Sequence, residues 1–228
     1  MLSNEFIFLT QTILIVILGI VFASRSTGWL TAWLSTLSII MNVFVLKQIV
    51  LCNLEVTSAD VYIIGMLSCL NYARESYGRT KVNEAMLGSW MISIVFLGIT
   101  QLHLALTPSI NDVSQPHFLA LFSPTLRLIF ASLITLILVQ ILDLIIFTYL
   151  KKIFQNKAFG IRSAISLTLS QIFDTLLFSL LGLYGLVANI THVMLFSFIT
   201  KMIVVTLSLP IVSLGKFVAK QFKLSPPT

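Results

Sequence analysis

Apolar runs about as long as a bilayer is thick follow one another along this chain, and only short polar stretches separate them. That succession constrains the fold more than any other feature. A helix crossing a hydrocarbon core needs ~20 apolar residues, with a range of about 17–25. In lipid every backbone N–H and C=O must be paired within the protein, which makes each run a helix. The runs cover residues 6–23, 29–51, 59–72, 86–106, 125–150, 163–187 and 192–214. The fold expected is an all-α polytopic membrane helix bundle of about seven spans, with residues 1–228 forming a single integral membrane domain. Charged residues make up only 10% of the chain, against about 25% in soluble domains, so no separate soluble domain fits between the spans. The first run follows Glu5 and lacks a basic leader, which reads as a retained span and not a cleaved signal peptide. The third run is short and is flanked by the polar Asp60 and Asn71, so its ends are the least sharply marked.

The net charge of +6 could suggest nucleic acid, but the basic residues sit in short loops between spans. An odd number of spans puts the termini on opposite sides. With the N-terminus outside, Arg25, Arg74, Arg79, Lys81, Lys151, Lys152, Lys157, Arg162, Lys216, Lys220 and Lys223 fall inside. These are eleven of the fourteen Lys and Arg residues, and the outer connections hold Glu5, Glu55, Asp60 and Asp112. This asymmetry predicts an N-out, C-in orientation.

One motif is written twice. Gln140-Ile141-Leu142-Asp143 leads to Phe147, and Gln171-Ile172-Phe173-Asp174 leads to Phe178. Gln, Asp and Phe at i, i+3 and i+7 project from one face of a helix. An intramembrane carboxylate is costly, so each should face the protein interior or a wet cavity and mark a binding site. The plainer alternative is a pair of polar positions that fasten helices together. In the expected topology the fifth and sixth spans run antiparallel, which is the pattern of an inverted pseudo-twofold at a central site. At 1.5 Å per residue, Asp143 lies about 12 Å from Lys151 and Asp174 about 18 Å from Arg162. Lys201 and Asn42 come to similar levels, so the ionisable groups should converge near the midplane. Lys201 is expected to neutralise one Asp, which leaves the other for a ligand or a proton. Arg127 either pairs from above or snorkels to the interface. Phe147 and Phe178 share the polar face, where a flat ligand could stack.

The remaining features read more plainly. Cys52 and Cys69 make no metal-type spacing and are packing residues. His103, His117 and His192 form no ligand pair and read as interfacial. Asn189-Ile190-Thr191 matches a glycosylation acceptor, but it lies in a loop too short for use. No nucleophile pair or catalytic metal pattern is visible, so an enzyme is not expected.

Over residues 42–210 the sequence resembles the queuosine-precursor transporter family, also called the vitamin-uptake-transporter family. The resemblance rests on Asn42 with Lys47, Glu75-Ser76-Tyr77-Gly78, Pro124 with Arg127, Ser132, Gln140, Asp143 and Phe147. It continues through Arg162, Ser166, Ser170, Gln171, Asp174, Thr175 and Phe178 to Lys201 and Pro210. The chain departs at Asn71, where the family usually carries Asp. The resemblance implies a multi-pass transporter of the cell inner membrane that imports 7-deazaguanine precursors of queuosine, without a cofactor. Asp143 or Asp174 would accept from the ring N–H and exocyclic amine, with Gln140 and Gln171 flanking. Asn42 and Lys201 would complete the site, with Lys47, Asn71, Glu75 and Arg127 as secondary candidates. The expected partners are a purine-like small molecule and the lipid bilayer, not nucleic acid, and self-association into a homo-oligomer stays open. The rival reading is a substrate-capture subunit of an ATP-driven vitamin or nucleobase importer, which has the same size and hydrophobicity.

Overall fold

The computed structural model describes residues 3–44, 47–51, 54–122, 126–185 and 190–221. In chain order the elements are α1 (Asn4–Arg25), α2 (Thr27–Phe44), β1 (Gln48–Leu51), β2 (Leu54–Thr57) and α3 (Asp60–Tyr77). There follow α4 (Arg79–Leu104), α5 (Gln115–Phe122), α6 (Leu126–Ile153), α7 (Phe159–Phe178), a π-helical turn (Ser179–Leu183) and α8 (Ile190–Gln221). The fold is all-α apart from one small hairpin. Cys52, Pro124 and Asn189 lie outside the described residues, as do the side chains of Glu55, His192, Lys216 and Lys220 and all of Lys223.

Among the described residues, six helical segments are long and apolar enough to cross a membrane: Asn4–Arg25, Thr27–Phe44, Arg79–Leu104, Phe130–Ile153, Phe159–Leu183 and Val193–Leu214. They hold large aliphatic side chains on the outside of the bundle, such as Leu87, Met91 and Ile94 on α4 or Ile141 and Ile145 on α6. In a bilayer such a surface stays against lipid, and no aqueous hydrophobic effect drives it inward.

The seventh long helix, α3, is built differently. Every residue from Asp60 to Arg74 is buried. It packs against α1, α2, α4, α6, α7 and α8, so it is the axis of the bundle. Its 18 residues rise about 27 Å. A helix walled in by protein can carry Asp60, Ser68, Asn71 and Arg74, because other helices, not lipid, meet those groups. Small residues let α1 approach closely. A Cβ at Gly65 would run into Ile15, and one at Gly19 would lie 3.2 Å from Cys69 Cβ. Hydroxyl bonds fasten the same contact: Tyr72 Oη lies 2.9 Å from Ser24 Oγ, and Tyr77 Oη donates to the Ala23 carbonyl at 2.6 Å.

Three boundaries differ from the sequence reading. The second span stops at Phe44 and not near Leu51, because β1 and β2 pair antiparallel with Gln48 opposite Thr57. Their Ile, Val and Thr residues suit a strand better than a helix end. The connection expected between the third and fourth runs shrinks to a corner. α3 continues to Tyr77, Gly78 takes φ +80, and α4 begins at Arg79. Glycine is the residue that adopts a positive φ freely. The polar loop 107–124 holds the short α5, whose Phe118 and Phe122 rings stack on one another.

Candidate functional site

Both copies of the doubled motif turn their polar face inward. Gln140, Asp143 and Gln171 are completely buried and Asp174 nearly so, while the adjoining Ile141, Ile145, Ile172 and Leu176 face outward. α6 and α7 pack side by side, joined by a tight turn at residues 154–158. The two copies nonetheless have different surroundings.

Asp143 is fully engaged. Its Oδ2 forms a 2.5 Å ion pair with Arg74 of α3, and its Oδ1 accepts from Ser166 Oγ at 2.5 Å and Ser170 Oγ at 3.3 Å, both on α7. Arg74 also donates to Asn71 Oδ1 at 2.9 Å and reaches the Gln140 carbonyl at 3.4 Å. Gln140 is held as well, since its Oε1 accepts from Trp90 Nε1 and its Nε2 lies against Met66 Sδ. This is a closed knot of α3, α4, α6 and α7.

Asp174 belongs to a second cluster. Lys201 of α8 donates to Asp174 Oδ2 and, at 3.1 Å, to Thr175 Oγ1. The same ammonium lies 3.8 Å from Asp60 Oδ1 at the start of α3. One buried cation is thus shared by two buried carboxylates. Asp60 Oδ2 has no hydrogen-bond partner among the described residues.

A third cluster lies at the other end of α3. Glu75 pairs with Arg162 at 3.1 Å and with Lys151 at 3.4 Å. Phe147, expected beside a ligand, instead packs on the Arg162 guanidinium at 5.1 Å, with Phe159 on the same cation at 5.8 Å. Arg162, entirely buried, also donates to the Lys157 carbonyl.

Gln171 sits between the first two clusters. Ser166 and Ser170, which serve Asp143, lie below it on α7, and Asp174 and Thr175 lie one turn above. Ser166 to Asp174 spans about 12 Å of helix. Gln171 is completely buried, yet neither its Oε1 nor its Nε2 has a partner among the described residues. Asn71 Nδ2 is likewise unpartnered. A buried amide left so costs roughly 1–3 kcal/mol, which makes it conspicuous in the middle of a polar stripe. A primary amide presents a donor and an acceptor side by side, so it can make two hydrogen bonds to any ligand edge that presents the same pair.

The other sequence-selected residues lie elsewhere. Asn42 bridges α2 and α6, donating to the Ser38 carbonyl at 2.9 Å and accepting from Ser132 Oγ at 2.8 Å. Lys47 is exposed at the base of the hairpin. Phe178 is half-buried at the end of α7. Arg127 neither pairs with an Asp nor simply snorkels. Its Nε and an Nη donate to the carbonyls of Leu181 and Tyr184 at 2.8 and 2.7 Å, tying α6 to the end of the π-helical turn. The expected single midplane constellation is therefore divided into clusters threaded along α3.

Sequence reasoning missed two members. The sequence reading places Arg74 in an inner loop and Asp60 in an outer one, yet both are buried on α3. The available signal was electroneutrality. Two intramembrane Asp and one Lys leave a carboxylate without a cation, and Arg74, just beyond the expected end of the third span, is one of the basic residues close enough to a span to supply it. Among the described residues no group of three or more His, Cys, Asp or Glu could hold a metal ion.

The family described as "Putative vitamin uptake transporter" matches over residues 57–215. The chain is 24% identical over 213 residues to a Bacillus subtilis (strain 168) protein named "Probable queuosine precursor transporter", covering 92% of this chain and 93% of that one. No solved structure matches.

Proposed function

Given that this chain belongs to the vitamin uptake transporter family, whose members are multi-pass membrane transporters and not enzymes, we propose that it imports a 7-deazaguanine precursor of queuosine across the cell inner membrane. The relative's name and near full-length coverage support the substrate class. The observation that carries the reading is the unpartnered amide of Gln171. The lactam edge of a guanine-like base offers a ring N–H beside a carbonyl, which a Gln amide matches with two hydrogen bonds. Asn71 Nδ2 supplies a further donor. The Asp143 and Asp174 carboxylates, each already bound to a cation, hold the walls of the site. This shifts direct base contact from the Asp residues to Gln171. Phe178, Asn42 and Lys47 stay outside this inner set.

The test compares the two glutamines. Gln171→Leu removes an amide that has no partner among the described residues, so the purified variant should be at least as stable as wild type. Its ligand-induced thermal stabilisation by 7-deazaguanine bases should be lost. Gln140→Leu strips a partner from Trp90 and should lower stability. A Gln171→Leu variant that binds and carries the base like wild type would remove the observation on which the site rests.

We infer the N-out, C-in orientation from the basic residues left at the ends of helices and in the connection after α6: Arg25, Arg79, Lys81, Lys151, Lys152 and Lys157. Arg74 and Arg162 no longer count towards it, being buried in ion pairs. A cysteine placed at Ser114 should react with an impermeant reagent in intact cells, and one at Gln155 should not. The opposite labelling reverses the orientation and with it the sense of the sites.

A further inference from the structure

The three-helix cluster of Asp60, Lys201 and Asp174 is one cation short, and we propose that it is the transporter's proton-coupling site, with Asp60 as the group that takes and releases the proton. This rests on the transport reading but goes beyond it, since it concerns what drives the substrate and not what binds it. The argument begins with a charge count. Two carboxylates from α3 and α7 face a single ammonium from α8. Lys201 is bonded to Asp174 and to Thr175, and stands farther from Asp60, at 3.8 Å. Asp60 Oδ2 is buried and meets no donor among the described residues.

The charged groups acting on Asp60 are Lys201 from α8 and Asp174 from α7. α2 contains no ionisable residue; on α1, Glu5 in the first turn and Arg25 in the last are both exposed, and Gln11 is bonded to the neighbouring Tyr62. On α6, Arg127 is committed to carbonyls and Asp143 to Arg74, while Arg79, Lys81 and Glu84 on α4 lie in its first two turns, next to the opposite end of α3. With both carboxylates ionised the cluster carries one uncompensated negative charge inside the bundle. That charge is costly away from water. A proton on Asp60 Oδ2 forms one O–H bond, converts the carboxylate to the neutral acid and leaves the Lys201–Asp174 pair balanced.

A metal cation is a poorer answer. The ammonium beside Asp60 repels it, and among the described residues no group of three or more His, Cys, Asp or Glu could hold a metal ion. The neutral and charged forms differ in what they allow. The protonated cluster can stay sealed between α3, α7 and α8 while the helices rearrange. The ionised cluster needs contact with water. Gln171 lies one turn from Asp174 on the same helix, so an occupied base site and a protonated Asp60 adjoin the same stretch of α7.

Two measurements test this, one of which needs no substrate. Infrared spectra of the purified wild-type protein, titrated through neutral pH, should show a protonated carboxylic-acid carbonyl band that disappears on the alkaline side. Asp60→Asn, which keeps the Lys201–Asp174 pair and should fold, lacks the band; Asp60→Glu keeps it. In proteoliposomes, an imposed inward proton gradient should drive accumulation of a 7-deazaguanine base, about tenfold per pH unit for one proton per base. Asp60→Asn should lose this response and still exchange base for base. An unaltered band in Asp60→Asn overturns the proposal. So does a proton-driven response that survives in that variant, or wild-type accumulation that follows a sodium gradient and ignores pH. Failure of wild type to exchange any such base would strike the substrate reading instead, and the infrared band would still decide the proton site.

Discussion

Lys201→Met is expected to abolish uptake and to destabilise the protein by about 3–5 kcal/mol, the usual cost of leaving a buried charge without its partner. The charge left without its partner is that of Asp174, and Asp60 loses its neighbouring cation as well. Thermal unfolding in detergent reads the stability and uptake in cells reads the function. Adding Asp60→Asn and Asp174→Asn to Lys201→Met removes the orphaned charges, so the triple variant should regain much of its stability and remain inactive. Recovered folding without recovered transport separates a working cluster from a fastener. Normal uptake by Lys201→Met alone would mean that the cluster has no part in transport.

Arg74 and Asp143 call for a double-mutant cycle. Each single neutralisation, Arg74→Gln or Asp143→Asn, leaves the other charge buried, and each should lower stability by a few kcal/mol. The double variant should lose less than the sum, because neither charge remains; contacting residues couple by roughly 0.5–3 kcal/mol. Transport should stay impaired in the double variant. Asp143 also receives Ser166 and Ser170, so its carboxylate sets the register of α7 against α6 directly below Gln171. Asn can replace only part of that set, since one of its two acceptor positions becomes a donor. A double variant with wild-type uptake would reduce the pair to the helix fastener that the sequence also allowed.

Much of the site was legible because the cost of an intramembrane charge is severe. Asp143, Asp174 and Lys201 stand out within apolar runs, and each required a partner inside the protein. The inward face followed from the i, i+3 spacing of Gln140 with Asp143 and of Gln171 with Asp174. The sequence could not show that the two copies differ. Gln140 and Gln171 occupy the same place in the same motif, but Trp90 and Met66 engage the former, while the latter has no partner among the described residues. Asn42 fits the same polar pattern, yet it is taken up by Ser132 on α6.

Hydropathy itself determined the membrane class and the lipid-facing helices, since the bilayer acts on each exposed residue one at a time and leaves its mark locally in the chain. It was weakest for α3, which meets protein and not lipid on all sides and therefore carries Asp60, Asn71 and Arg74 among its apolar residues. A buried charge needs a partner, but the partner can come from any helix that reaches it. Asp143 found Arg74 sixty-nine positions away, and Asp174 shares Lys201 with Asp60. Which charges meet is a property of helix packing in three dimensions, and only the tertiary structure decided it.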